Sequence, residues 1–141
     1  MKILLAVDGS EYTKKMLAYL VTHENIFQRE HTEIVILNVQ PLLPPHAAAT
    51  VGKAAVEQYY VEESNKVLNP IAAFLERHNI PASSKWESGH ASTVIAHAAT
   101  EGKFDMVIMG SHGHGTIVNL VMGSVTTQVL AQCKVPVLLI R

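Results

Sequence analysis

Three glycines and a serine stand where the backbone could grip an anion. Gly110, Gly113 and the pair Gly123 and Ser124 follow directly on the apolar run Met106, Val107, Ile108, Met109. The spacing is Gly, two residues, Gly, nine residues, Gly-Ser, strung between a predicted strand and a predicted helix. Glycines at such a junction let N–H groups approach a bulky anion where side chains would collide. Ser124 falls where an N-cap residue would open the next helix, the end that favours negative charge. The combination reads as a seat for a phosphate chain and predicts a nucleotide-binding protein.

Asp8 ends the first apolar run, just before Gly9 and Ser10. Its carboxylate could accept hydrogen bonds from ribose hydroxyls or a base amine. It could equally form the turn that opens the first helix. The other polar candidates point less far. His112 and His114 lie two apart, with His46, His90 and His97 elsewhere, and this spacing matches no known metal site. Ordinary hydrogen bonding is expected of them. Cys133 reads as a small buried hydrophobe, and Trp86 as packing.

Efficient catalysis is not expected. Phosphoryl transfer needs a Lys on the β- and γ-phosphates, a metal-holding carboxylate and a group that positions the nucleophile. The Gly-four residues-Gly-Lys-Ser/Thr loop is absent, and Asp8 is the one evident carboxylate. Ser111 and His112 are mere sequence neighbours, and no Gly-x-Ser-x-Gly elbow occurs.

The elements that must position these groups follow from four short apolar runs, at residues 3–7, 34–39, 106–109 and 135–140. Near-continuous apolar strands belong to parallel sheets covered on both faces. A more polar fifth candidate, 82–87, suits a sheet edge. Helical spacing fills the gaps. Met16, Leu17, Leu20 and Val21 follow Ser10, a candidate N-cap. Val56, Tyr60, Val67, Ile71, Phe74 and Leu75 mark a second helix, in which Pro70 predicts a kink or break near residues 66–69. Val94, Ile95, Ala98 and Ala99 mark a third, and residues 125–132 a fourth. The alternation predicts one open, doubly wound parallel α/β sheet of five strands. The orders 2-1-3-4-5 and 3-2-1-4-5 both fit, and both bind ligands at the carboxyl ends of the strands where the order reverses. Under 3-2-1-4-5, Asp8 and the glycine loop face one crevice. Residues 40–52, with three prolines and three consecutive alanines, read either as a lid on that crevice or as a surface loop.

A chain of 141 residues fits a single domain, 1–141, and its 48% hydrophobic content allows a substantial core. Eleven basic and twelve acidic residues leave a formal charge of −1, so neither nucleic acid nor a membrane surface is an expected partner. No apolar stretch reaches the roughly 20 residues of a membrane span, and the amino terminus lacks the features of a signal peptide. With one cysteine, a disulfide scaffold is excluded and a cytoplasmic location is expected. A phosphorylation receiver is disfavoured, because strand one ends in a single Asp and no Lys follows strand five. A flavin site is disfavoured too, since the glycine loop follows strand four.

The opening Met-Lys-Ile-Leu-Leu-Ala-Val-Asp-Gly-Ser-Glu, the segment Val-Ile-Met-Gly-Ser-His-Gly with Met-Gly-Ser-Val-Thr, and the closing Val-Pro-Val-Leu-Leu-Ile together resemble the universal stress protein family along the whole chain. The resemblance implies strand order 3-2-1-4-5 and an ATP-binding, often dimeric, cytoplasmic protein. By match of position, Ala6, Val7 and Asp8 would hold adenine and ribose, and Val39 would contact adenine. Met109 and Gly110 would line the ribose side. Gly113, Gly123, Ser124 and Val125 would hold the phosphates through backbone or hydroxyl. The intact glycine-serine pattern favours the branch that binds ATP. One departure stands out: many family members carry Lys or Arg between Gly113 and Gly123, and this chain has none. His114 also belongs to the expected site but is no permanent cation. A weaker hold on triphosphate follows, with AMP, ADP or another adenylate competing and Mg²⁺ entering with the nucleotide. The apolar insert Ile117, Val118, Leu120, Val121, Met122 reads as a short core helix or as a partner surface.

The residues and the resemblance together imply an adenine-nucleotide-binding regulatory protein, the resemblance adding a role in stress response; slow ATP hydrolysis or autophosphorylation, for instance at Ser124, stays open. The alternative is a nucleotide-independent homodimeric adaptor with protein partners. The last strand would be an apolar edge, which is normally covered. An antiparallel homodimer through Val135, Val137, Leu138 and Leu139 covers it most simply.

Overall fold

The structure is a computed structural model and describes residues 1–27, 30–115 and 121–141. Its elements run β1 (Lys2–Val7), α1 (Glu11–Thr22), α2 (Glu24–Phe27), β2 (Glu33–Gln40), α3 (Pro45–Val51), α4 (Lys53–Arg77), β3 (Ala82–Ser88), α5 (Ala91–Glu101), β4 (Met106–Gly110), α6 (Ser124–Gln132) and β5 (Val137–Ile140). The five strands form one sheet in the order β3-β2-β1-β4-β5. Every pairing is parallel, with Val7 opposite Asn38 and Ala6 opposite Met109. Of the two orders that the spacing allows, this is 3-2-1-4-5.

The apolar strands are buried on both faces, and residue parity shows how. Ile3, Leu5, Val7, Ile34, Ile36 and Ile108 join Met16, Leu20, Leu68, Ile71 and Leu75 of α1 and α4 in one core. Leu4, Val35, Leu37, Val107 and Met109 join Ile95, Ala98, Ala99 and Val129 of α5 and α6 in the other. Neighbouring residues of one strand thus serve opposite cores, which is why no polar alternation survives in these runs. β3 is the exception, with Ala82, Ser83 and Ser84 exposed at the sheet edge.

Local expectations are corrected in four places. α4 is continuous from Lys53 through Pro70 to Arg77, so of the expected kink or break near residues 66–69 the break is absent. Pro70 is exposed, so the carbonyl it leaves without an amide partner faces water. The burial of Leu68, Ile71 and Leu75 on the opposite face, worth roughly 1.5–3 kcal/mol each, outweighs a proline cost of about 3 kcal/mol. Residues 40–52 are not wholly irregular: Pro45, in the first helical turn, opens α3, none of whose residues is buried. The last strand starts at Val137 rather than Val135. Pro136 has no N–H to give the ladder, although its carbonyl accepts from Val107 N–H at 2.8 Å. Neither expected serine cap is made. Ser10 occupies the N-cap of α1 with its Oγ buried and unpartnered, and Gly123 takes the N-cap of α6, leaving Ser124 as the first helical residue.

Candidate functional site

The strand order reverses between β1 and β4, and a cleft of about 100 Å³ opens there at the carboxyl ends of the strands. The floor is apolar, from Ala6, Leu37, Val39 and Met109; Ala91 and Ile95 of α5 form one wall and Val125 and Thr126 of α6 another. Val7, Asp8, Thr13, Gly110, His112 and Gly113 complete the lining.

Asp8 forms the turn that opens the first helix, one of the two roles the sequence allows. Its Oδ1 accepts from Ser10 N–H at 2.9 Å and from the Thr13 hydroxyl at 3.0 Å. Thr13 Oγ1 in turn accepts the N–H groups of Asp8 and Gly9, at 3.3 and 3.2 Å. The turn between β1 and α1 is therefore built from side chains, and it fixes the carboxylate. The other oxygen, Oδ2, faces the glycine loop: a Cβ on Gly113 would lie 2.7 Å from it. Only a residue without Cβ lets the loop pass this close to the carboxylate.

The loop is anchored at its base. Ser111 N–H donates to Ile140 O and Gly123 N–H to Ser111 O, both at 2.8 Å. The Thr126 hydroxyl donates to Gly110 O at 3.1 Å. A Cβ on Gly110 would meet Tyr12 Cβ at 2.5 Å, so α1 presses directly on the loop. Tyr12 also packs against the His112 ring at 4.9 Å. Ser111, 1% exposed, has its Oγ 2.9 Å from His112 Nδ1; it is not presented to the cleft as a nucleophile. At the far wall, the buried Ser92 hydroxyl donates to Gln128 Oε1 at 2.9 Å and accepts from His90 Nδ1 at 2.9 Å, tying the start of α5 to α6.

Charge at the cleft comes from few sources. Among the described residues the lining holds one carboxylate, Asp8, and no Lys or Arg. The first turn of α6 supplies the positive end of a helix dipole, with the N–H groups of Ser124, Val125 and Thr126 lacking carbonyls one turn back in the helix. The arrangement can take an elongated ligand with an apolar flat end on the floor, hydroxyls near Asp8 and an anion toward α6. Among the described residues no three His, Cys, Asp or Glu side chains gather to hold a metal ion, and no helix is long and apolar enough to cross a membrane.

Of the residues expected from sequence, Ala6, Val7, Asp8, Val39, Met109, Gly110, Gly113 and Val125 line the cleft. His114, Gly123 and Ser124 do not. His114 Nε2 bonds the Asp8 carbonyl at 2.7 Å, so its ring braces the loop on the β1 turn. The Gly123 N–H closes the loop base, and Ser124 is exposed beside the cleft. Residues 116–120 of the apolar insert lie outside the described residues; Val121 is 68% exposed. Thr13, Leu37, Ala91, Ile95, His112 and Thr126 also line the cleft and were not among the residues expected there. Thr13 alone had a signal, a hydroxyl one turn beyond a strand-ending Asp.

Residues 1–141 match the family model described as "Universal stress protein family". The universal stress protein Slr1230 of Synechocystis is 30% identical over 140 residues, which cover 99% of this chain and 42% of that protein. The chain thus spans less than half the length of this relative. Among solved structures, hypothetical protein MJ0577 superposes with a TM-score of 0.81 at 24% identity, covering 99% of this chain and 94% of that one. A universal stress protein of Arabidopsis thaliana with AMP bound gives a TM-score of 0.71 at 16% identity, covering 99% and 90%. One from Archaeoglobus fulgidus in complex with dAMP gives 0.67 at 16% identity, covering 100% and 98%. At these identities the structural likeness is one of fold.

Proposed function

The chain belongs to the universal stress protein family, and on that premise we propose that it is a regulatory protein that binds an adenine nucleotide in the cleft between β1 and β4 without robust turnover. The observation that carries this reading is the meeting of Asp8 and Gly113 over an apolar floor. The base rests on Ala6, Val39 and Met109, the ribose turns its hydroxyls toward Asp8, and the phosphates run toward the first turn of α6. Mg²⁺ arrives with the phosphates. The AMP and dAMP held by the two solved relatives support the ligand class. ATP, ADP and AMP are all candidate ligands, and the loop without Lys or Arg favours the shorter ones. The protein acts in the cytoplasm as a homodimer through β5, whose Val137, Leu138 and Leu139 form an apolar sheet edge, flanked by Val135.

Isothermal titration of the purified protein with Mg·ATP, ADP and AMP tests the reading, with Gly113→Val as control. Micromolar binding that the variant loses supports it. A folded wild-type protein that gives no heat with any adenylate overturns it in favour of a nucleotide-independent adaptor.

A further inference from the structure

Lys15 lies on α1, one turn beyond Tyr12, with its Nζ 4.7 Å from the centre of the Tyr12 ring. The other neighbour of that ring is His112, 4.9 Å away and part of the cleft lining. The backbone reinforces the link, because Gly110 leaves room for Tyr12 where a Cβ would collide. The Lys15 ammonium thus rests on a ring that packs against His112 of the loop, and its charge also acts on Glu11. The neighbouring Lys14 is otherwise engaged: its Nζ bonds Glu11 Oε1 at 2.8 Å. Lys15 forms no ion pair among the described residues.

The cleft has need of such a charge. Among the described residues its lining carries a carboxylate and no Lys or Arg, and the loop from Gly110 to Gly123 contains none in sequence. A monophosphate can be satisfied by the first turn of α6. Additional phosphates add charge farther out, beyond the reach of a helix terminus whose field fades within one turn. A lysine on a flexible four-carbon stem, resting on an aromatic face, can leave that face for a phosphate at modest cost.

We propose that Lys15 is the phosphate-number determinant of this site, supplying from α1 the cation for the outer phosphates of a nucleoside di- or triphosphate. The proposal rests on the nucleotide reading above and adds to it a residue outside the glycine loop. It makes the discrimination between ATP and AMP a property of the α1 surface.

The test is titration of wild type, Lys15→Gln, Lys15→Arg and Lys14→Gln with ATP and with AMP, in EDTA so that no metal replaces the ammonium. Lys15 is exposed, so the variants are expected to fold, which circular dichroism checks. Lys15→Gln should weaken ATP by about three- to tenfold and AMP by less than about twofold. Lys15→Arg and Lys14→Gln should retain ATP affinity, and added salt should shrink the gap between wild type and Lys15→Gln. Equal ATP affinity in wild type and Lys15→Gln, with AMP binding normal, overturns the proposal and leaves the nucleotide reading standing. Failure of wild type to bind either nucleotide overturns both.

Discussion

Asp8 and Gly113 meet across the mouth of the cleft, so closely that a Cβ on residue 113 would lie 2.7 Å from Asp8 Oδ2. Gly113→Val must therefore push the loop away from β1 or turn the carboxylate out of its turn. Loss of adenylate affinity of at least about tenfold is expected, because the geometry of both ligand-facing groups changes together. The loop lies outside both cores, so the melting temperature should shift by only about 2–4 °C. A variant that binds AMP as wild type does would show that the close approach is irrelevant to ligand.

Pro70 lies exposed inside a 25-residue helix and removes one backbone hydrogen bond there. Replacing it by Ala restores that bond and relieves the ring's clash with the preceding turn, against a loss of about 0.4–1 kcal/mol from a freer unfolded chain. A net gain of about 1–2 kcal/mol is expected in urea unfolding. A lower midpoint in Pro70→Ala would mean that the proline shapes α4 to fit the sheet.

β5 lies at a sheet edge, and Val137, Leu138 and Leu139 are only half-buried. Val137→Lys places a charge on this edge with a stem long enough to reach water, so the monomer should fold while the dimer weakens. Sedimentation at micromolar concentration reads this directly. A wild-type protein that sediments as a monomer there would sink the proposed homodimer.

What the residues alone revealed divides along physical lines. The four apolar strands were legible because each serves two cores and so reads as an unbroken apolar run, as residues 3–7 and 106–109 do. The strand order was not legible from spacing, since 2-1-3-4-5 and 3-2-1-4-5 need the same alternation; the family resemblance supplied it. The loop glycines and Asp8 stood out because tight backbone approach and a strand-ending carboxylate leave sequence marks. Ala91 and Ile95 left none, as their place in the cleft comes from how α5 packs on β2, and an alanine on a wall looks like any other. Caps were misplaced by one residue at Ser124, where Gly123 N–H bonds the loop instead. Thr13 replaces Ser10 as the hydroxyl that organises the first turn.

The two roles of Asp8 can be separated by one atom. Asp8→Asn keeps an oxygen able to accept from Ser10 N–H and the Thr13 hydroxyl, as Oδ1 does at 2.9 and 3.0 Å. It replaces the oxygen facing Gly113 by an NH₂ group, which donates and cannot accept from a ribose hydroxyl. The turn should survive, with a melting temperature within about 4 °C of wild type. AMP affinity should fall by about ten- to 150-fold, the worth of a hydrogen bond to a charged acceptor. Thr13→Ala is the converse probe. It strips the N–H groups of Asp8 and Gly9 of their acceptor and should lower stability by about 1–3 kcal/mol, with binding lost as a consequence. If Asp8→Asn binds AMP as tightly as wild type, the carboxylate serves the turn alone, and the ribose must find its partner elsewhere on the rim.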